Sequence, residues 1–230
     1  MKSSLPFLLL LISPLVQAQL TYNILDYIPN GVGDSLVYEQ MSSLTPDSLL
    51  VAWPSLRALR KDSVLYRMES TGGRRYETLD DTLGWKIYMI GLPNAGDLVL
   101  QDGLGILPPV VKHGETYRSS APFTMIRDGK KQGSGTLEYA ITVEGNDSSQ
   151  TPFQNFGDCL VLNTLSVRTD PDGIRRGYQL KEWYARGLGL VKMAGEAFTL
   201  DHRQQRVRVI KAAGILVKGK VGGVSYHWPE

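Results

Sequence analysis

The sequence predicts an all-β protein, or a mainly β one with one or two short helices, built as a curled antiparallel sheet. Three observations predict it. Apolar and polar residues alternate with a period of two along most of the chain, no window of about 15 residues carries an apolar stripe of helical period, and turn formers recur between the alternating runs. Successive side chains on a strand point to opposite faces of its sheet, so alternation is what a sheet with one buried side requires.

From the N-terminus, the first runs are SLVYE from Ser35, SLLVAW from Ser48, SVLYRM from Ser63 and WKIYMI from Trp85. In TLEYAITVE, Leu137, Tyr139, Ile141 and Val143 share one face, and Thr136, Glu138, Thr142 and Glu144 share the other. CLVLNTLSV from Cys159, YQLKEWYA from Tyr178 and VRVI from Val207 follow. Asp128-Gly129, Gly145-Asn146-Asp147, Asp170-Pro171-Asp172-Gly173 and Gly222-Gly223 supply positive φ, a preset φ or a turn-closing side chain, and Gln132 to Gly135 reads as a flexible turn. Two interruptions are expected: a short helix over Pro54 to Arg60 (PSLRALR) and an irregular turn near Phe153 to Gly157. Roughly a dozen short strands at this spacing point to a barrel, half-barrel or sandwich.

Residues 1–18, MKSSLPFLLLLISPLVQA, combine one basic residue, an apolar stretch and a small-residue site ending at Ala18. That is the pattern of a secretory signal peptide, cleaved after Ala18. The apolar run is broken by Pro6, Ser13 and Pro14 and is too short to span a bilayer, so no transmembrane segment is expected after cleavage. The only cysteine, Cys159, lies far from the cleavage point, so no lipobox cysteine is present. The expectation is a periplasmic or secreted protein with residues 19–230 forming a single β-rich domain.

The chemistry is bounded mostly by what the residues do not spell. One cysteine excludes an internal disulfide and a cysteine-based zinc site. With a formal charge of +2, the basic groups Arg74-Arg75, Lys130-Lys131, Arg175-Arg176 and Arg203, Arg206, Arg208 are scattered among 23 acids, which argues against a nucleic-acid surface. His113, His202 and His227 lack partners at metal-ligand spacing, and no metal or other cofactor is expected. No serine lies in a GxSxG elbow, and Gly31-Val32-Gly33 and Gly187-Leu188-Gly189 are incomplete as phosphate loops. Cys159 reads as a buried, inert thiol, and no catalytic residue is assigned. Glycosidase chemistry needs only two carboxylates across a cleft and is therefore the enzymatic alternative that stays open. Aromatics on the strands, among them Trp85, Tyr139, Trp183 and Tyr184, are the candidate lining of an apolar pocket, with core packing as the competing role.

Two strings carry a family resemblance. FGDCLVLNTLSVRTDPDG places Phe156, Asp158, Cys159 and Leu160 on one strand, and EWYARGLGLVKM places Trp183, Tyr184, Ala185, Gly187, Gly189, Leu190, Val191 and Lys192 on the next strand and turn. With the opening YIPNGVGDSLVYE from Tyr27 to Glu39, they resemble the TapB-like group of secreted bacterial proteins of unknown function. Arg186 stands where that group's turn has proline. The resemblance implies a LolA-like half-barrel whose concave side holds an apolar ligand or a helix. The combined expectation is a non-enzymatic exported envelope protein that binds an apolar or lipid-like ligand, or an envelope partner. The alternatives are an assembly factor acting through a sheet edge and a hydrolase using paired carboxylates.

Overall fold

A computed structural model describes residues 19–28, 31, 33–60, 63–70, 73–92, 95–152 and 154–227, with 45–60 and 63–70 described by their backbone alone. The expected signal peptide, 1–18, lies outside the described residues. The strands in chain order are β1 (Thr21–Asn23), β2 (Ser35–Ser42), β3 (Thr45–Arg60), β4 (Ser63–Ser70), β5 (Gly73–Asp80), β6 (Gly84–Leu92), β7 (Gly96–Leu107) and β8 (Val110–Lys112). They continue with β9 (Thr116–Arg127), β10 (Lys130–Gln150), β11 (Asn155–Thr169), β12 (Arg175–Ala185), β13 (Gly189–Leu200), β14 (Arg206–Val221) and β15 (Val224–His227). One 3-10 turn, Ile24–Asp26, follows β1, and the described residues contain no α-helix.

Thirteen strands form one antiparallel sheet in the order β13-β12-β11-β10-β9-β7-β6-β5-β4-β3-β2-β14-β15, and β13 also pairs with β14. The sheet therefore curls until its flanks meet, giving a half-barrel, one of the architectures that the strand spacing allows. Closure is uneven: β7 and β9 share only the register Asp97–Val99 against Thr124–Ile126. The concave side holds the main core, including Ile87, Leu98, Leu100, Ile141, Leu160 and Leu162. Leu137, Tyr139, Ile141 and Val143 are all buried, as their spacing requires.

Four local expectations are corrected. Pro54 to Arg60 is not a helix but the second half of β3. Residues 45–54 of that strand pair with β2 and residues 55–60 with β4, so Pro54, which has no N–H to give a ladder, sits where one pairing hands over to the other. Inter-strand hydrogen bonds here outweigh a weak local helical preference. Gly145 to Asp147 does not reverse the chain either. Gly145, at φ +100, opens a bulge inside β10, which stays paired with β11 on both sides of it. Gln132 to Gly135 likewise belongs to β10, with a bulge between Lys131 and Gly133. The irregular turn lies at 151–154, where Thr151 N–H donates to the Gln154 carbonyl at 2.8 Å, and Phe156 and Gly157 already belong to β11. Phe153 is outside the described residues.

The N-terminal segment seals one end of the half-barrel. β1 pairs with β8, Ile24 N–H donates to the Pro109 carbonyl at 3.0 Å, and Tyr22, Ile24, Tyr27 and Ile28 are buried in the core. Arg186 clasps this segment. Its guanidinium donates to Asp26 Oδ2 at 2.6 Å, Asp158 Oδ2 at 3.0 Å and the Tyr27 hydroxyl at 2.7 Å, and it lies 4.8 Å from the Tyr27 ring centre. The residue that departs from the resembled string thus ties the β12–β13 turn to the N-terminus.

Candidate functional site

Strand direction places the site. Cys159 faces Ala185 where β11 and β12 meet the sealed end, and Thr169 faces Arg175 at the other end. The stretch of β11 from Asp158 to Arg168 spans about 30 Å at the usual rise per residue. The concave wall therefore runs from the N-terminal seal, through a belt of polar groups, to an opening opposite the seal.

The belt rests on alternation in two strands. On β5, Arg75 and Glu77 share a face with buried Leu79, and on β12, Tyr178, Glu182 and Tyr184 share the concave face. Trp85 Nε1 donates to Glu77 Oε2 at 2.9 Å. Arg75 Nε lies 2.6 Å from the same oxygen without pointing at it as a donor, and the guanidinium stacks 5.1 Å from the Trp85 ring. Thr164 donates to Glu182 Oε2 at 2.6 Å and Tyr184 to Oε1 at 3.3 Å. The Tyr139 and Tyr178 hydroxyls bond to each other at 2.9 Å.

Burial sets the electrostatics of this belt. It pushes the Tyr178 and Tyr184 hydroxyls well above the usual phenol range and raises the Glu182 carboxyl against the opposing pull of Thr164 and Arg75. Burial also works against the charge on Arg75, but Glu77 and the surrounding tyrosines more than offset it and hold the guanidinium above its ordinary value. Glu77 and Glu182 are the buried carboxylates of this belt, and each accepts hydrogen bonds from neighbouring side chains.

Beyond the belt, toward the open end, lies a cavity of about 360 Å³. Its walls are largely apolar, with Ile90, Leu92, Leu98, Leu137, Ala197 and Ile210, and Tyr139 and Tyr178 join the belt to it. Arg168, Arg176 and Arg208 also line it. The volume lies in the lower part of the range of about 300–1,000 Å³ typical of small-molecule pockets.

Of the aromatics singled out from sequence, the structure brings Trp85, Tyr139 and Tyr184 to the concave side. Trp85 and Tyr184 meet edge to face at 6.4 Å, and Tyr139 meets Tyr178 in the same way. Trp183 faces outward, its ring flanked by Lys181 Nζ at 5.3 Å and Lys192 Nζ at 4.9 Å. Sequence reasoning missed Arg75, Glu77, Glu182 and the three cavity arginines because it treated charges on strands as solvated. The available signal was period two: Arg75, Glu77 and Leu79 alternate, as do Tyr178, Leu180, Glu182 and Tyr184.

Cys159 lies outside this site, in a second buried cluster with Leu36, Tyr38, Ala185, Val191 and Leu216. It is fully buried, and burial followed by the nearby Asp158 pushes its thiol up to about 11. The folded protein is expected to leave Ellman's reagent unreacted at pH 8 and to release one equivalent only on unfolding. Rapid reaction of the folded protein would show that the thiol is accessible and ionised.

No family model matches the chain, and no curated protein matches it. Solved structures similar in outline include a candidate exported protein with a YmcC-like fold from Bacteroides fragilis, at 13% identity and a TM-score of 0.46, covering 83% of this chain and 96% of that one. A candidate lipoprotein from Parabacteroides distasonis aligns at 11% identity and a TM-score of 0.40, covering 82% and 95%. The hypothetical lipoprotein YmcC from Escherichia coli aligns at 12% identity and a TM-score of 0.38, covering 84% and 85%. Among the described residues of this chain, no helix is long and apolar enough to cross a membrane.

Proposed function

We propose that this is an exported, non-enzymatic envelope protein whose half-barrel holds an apolar or lipid-like ligand at its open end. The observation that carries this reading is the cavity itself: about 360 Å³ with mainly apolar walls, at the end of the concave side that the N-terminal segment leaves uncovered. Apolar walls release water when a ligand fills them, which is the main driving force for such binding. The occupied carboxylates support a binding role over a hydrolytic one. The half-barrel implied by the TapB-like resemblance agrees with the observed curl, and the signal-peptide pattern supports export.

The test is titration with the neutral apolar fluorophore 1-N-phenylnaphthylamine. Wild type is expected to bind it saturably, and Ala197→Trp, which fills the cavity from its wall, to weaken binding about tenfold or more while keeping a cooperative melt. Absence of saturable uptake by wild type would sink the reading. Native mass spectrometry of protein taken from the cell envelope adds an independent arm. Co-purified lipid supports the proposal, and a co-purified protein in its place favours the partner-binding alternative.

A further inference from the structure

The cavity has a charged lining that an apolar ligand alone does not explain. Arg168 and Arg176 face each other across β11 and β12, on the same face as Leu137 and Thr199. Both are paired with the single carboxylate of Asp170: Arg168 Nε lies 3.0 Å from Oδ1, and Arg176 bonds Oδ2. The Arg168 pairing is imperfect, since buried Nε is not aligned as a donor. Burial lowers the Arg168 pKa and Arg176 lowers it further, whereas Asp170 and, behind it, Asp172 favour the charge. Asp172 is itself engaged, accepting from Ile174 N–H at 3.0 Å.

Arg208 adds a third cation. The register of β14 against β13 slips between Ala197–Ile210 and Thr199–Val207, so that Arg208 and Val209 together stand opposite Phe198. This is a β-bulge, and Arg208 occupies it at φ 51, a left-handed conformation that is strained for a residue with a Cβ. Its neighbours use their charges elsewhere: Arg206 pairs with Glu196, and Arg175 with Glu138. Arg208 lines the cavity, is exposed, and has no ion-pair partner among the described residues. A strained bulge carrying an unpaired cation at a binding cavity is the arrangement in which local strain is retained for function.

We infer that the cavity takes a single-chain amphiphile with an anionic head, the chain lying along the apolar wall and the carboxylate or phosphate head meeting Arg208 beside Arg168 and Arg176. The inference rests on the cavity-binding reading above and adds the ligand's charge and the residue that selects it. A charge-assisted hydrogen bond from a guanidinium to an oxyanion is among the stronger polar contacts, and its loss is worth roughly tenfold or more in affinity.

Decanoate, decyl phosphate, neutral decanol and inorganic phosphate are titrated against wild type, Arg208→Gln and Arg208→Gly at neutral pH. Wild type is expected to prefer one or both anionic amphiphiles over decanol by about tenfold or more, with the preference collapsing in both variants and decanol affinity unchanged. The glycine variant relieves the left-handed backbone while removing the charge, so it is expected to melt at or above the wild-type temperature as it loses selectivity. Comparison of decanoate with decyl phosphate distinguishes a carboxylate from a phosphate head. Equal affinity for decanol and both anions in wild type overturns the inference and leaves the cavity reading standing, as does a preference that survives in both Arg208 variants. Inorganic phosphate binding as tightly as decyl phosphate also overturns it, because the chain would then contribute nothing. If neither decanol nor either anionic amphiphile binds, this inference and the proposed function fall together.

Discussion

Glu77→Ala is expected to destabilise the protein by about 3–5 kcal/mol, because it removes the carboxylate directly paired with the Arg75 guanidinium inside the half-barrel. The Arg75 and Glu77 side chains are 23% and 7% exposed, so solvent screens their interaction little. The substitution also removes the acceptor of Trp85 Nε1 and leaves a second buried donor unpaired. For a chain of this size the loss corresponds to a fall in Tm of roughly 6–20 °C. The double variant Arg75→Met, Glu77→Leu removes both charges and keeps the volume, and is expected to recover most of the loss or exceed wild type. Thermal melts of the three proteins decide the matter. A Glu77→Ala cost below about 1 kcal/mol would mean that water reaches the pair, as at an exposed salt bridge.

The second large effect is expected at the N-terminal seal. Tyr27 is fully buried, meets Tyr22 edge to face at 6.4 Å and carries the clasp to Arg186. Tyr27→Ala should cost about 3–5 kcal/mol, the range for deleting a large aromatic from a core. Tyr27→Phe, which keeps the ring and loses the hydroxyl, should cost about 0.5–1.5 kcal/mol. Arg186→Ala should fall near the smaller value, because the guanidinium is about half exposed and water can replace part of what it gives. Hydrogen exchange locates the effect: the amides of residues 21–28 should lose protection before those of β10 and β11 in Tyr27→Ala. Uniform loss across the sheet would show that the segment is not a separate seal but an inseparable part of the core.

How much of this was legible depends on which residues held to a simple period. Leu137 to Val143 announced their strand and its buried face because every second residue is apolar and the sheet is wet on one side. Pro54 to Arg60 misled because a short segment's own preference is weak beside the ladders that β2 and β4 supply from elsewhere in the chain. Arg75 and Glu77 followed the alternation, but a charged residue on an inward position is recognised only when its partner is known, and Trp85 and the tyrosines arrive from other strands. Arg208 was hidden for a different reason. A bulge adds one residue to the count, so no period-two reading can say which way its side chain lies. The cavity exists only once Ile90, Leu92 and Leu98 of β6 and β7 face β13 and β14 across the curl, a placement that no local pattern encodes.

Closing the curl has a kinetic side. β14 pairs with β13 beside it in sequence, but also with β2, so residues 35–42, already paired with β3 on one side, acquire their second neighbour only when residues 212–220 are available. Contacts this distant along the chain are slow to form, because the loop must close before any gain is realised. A polypeptide emerging from its N-terminus would carry the unpaired flank of β2 through nearly the whole of its synthesis or passage across a membrane, with its backbone hydrogen-bonding groups open to other chains. Refolding in vitro should therefore be limited by protein concentration sooner than the stability of the finished sheet would suggest.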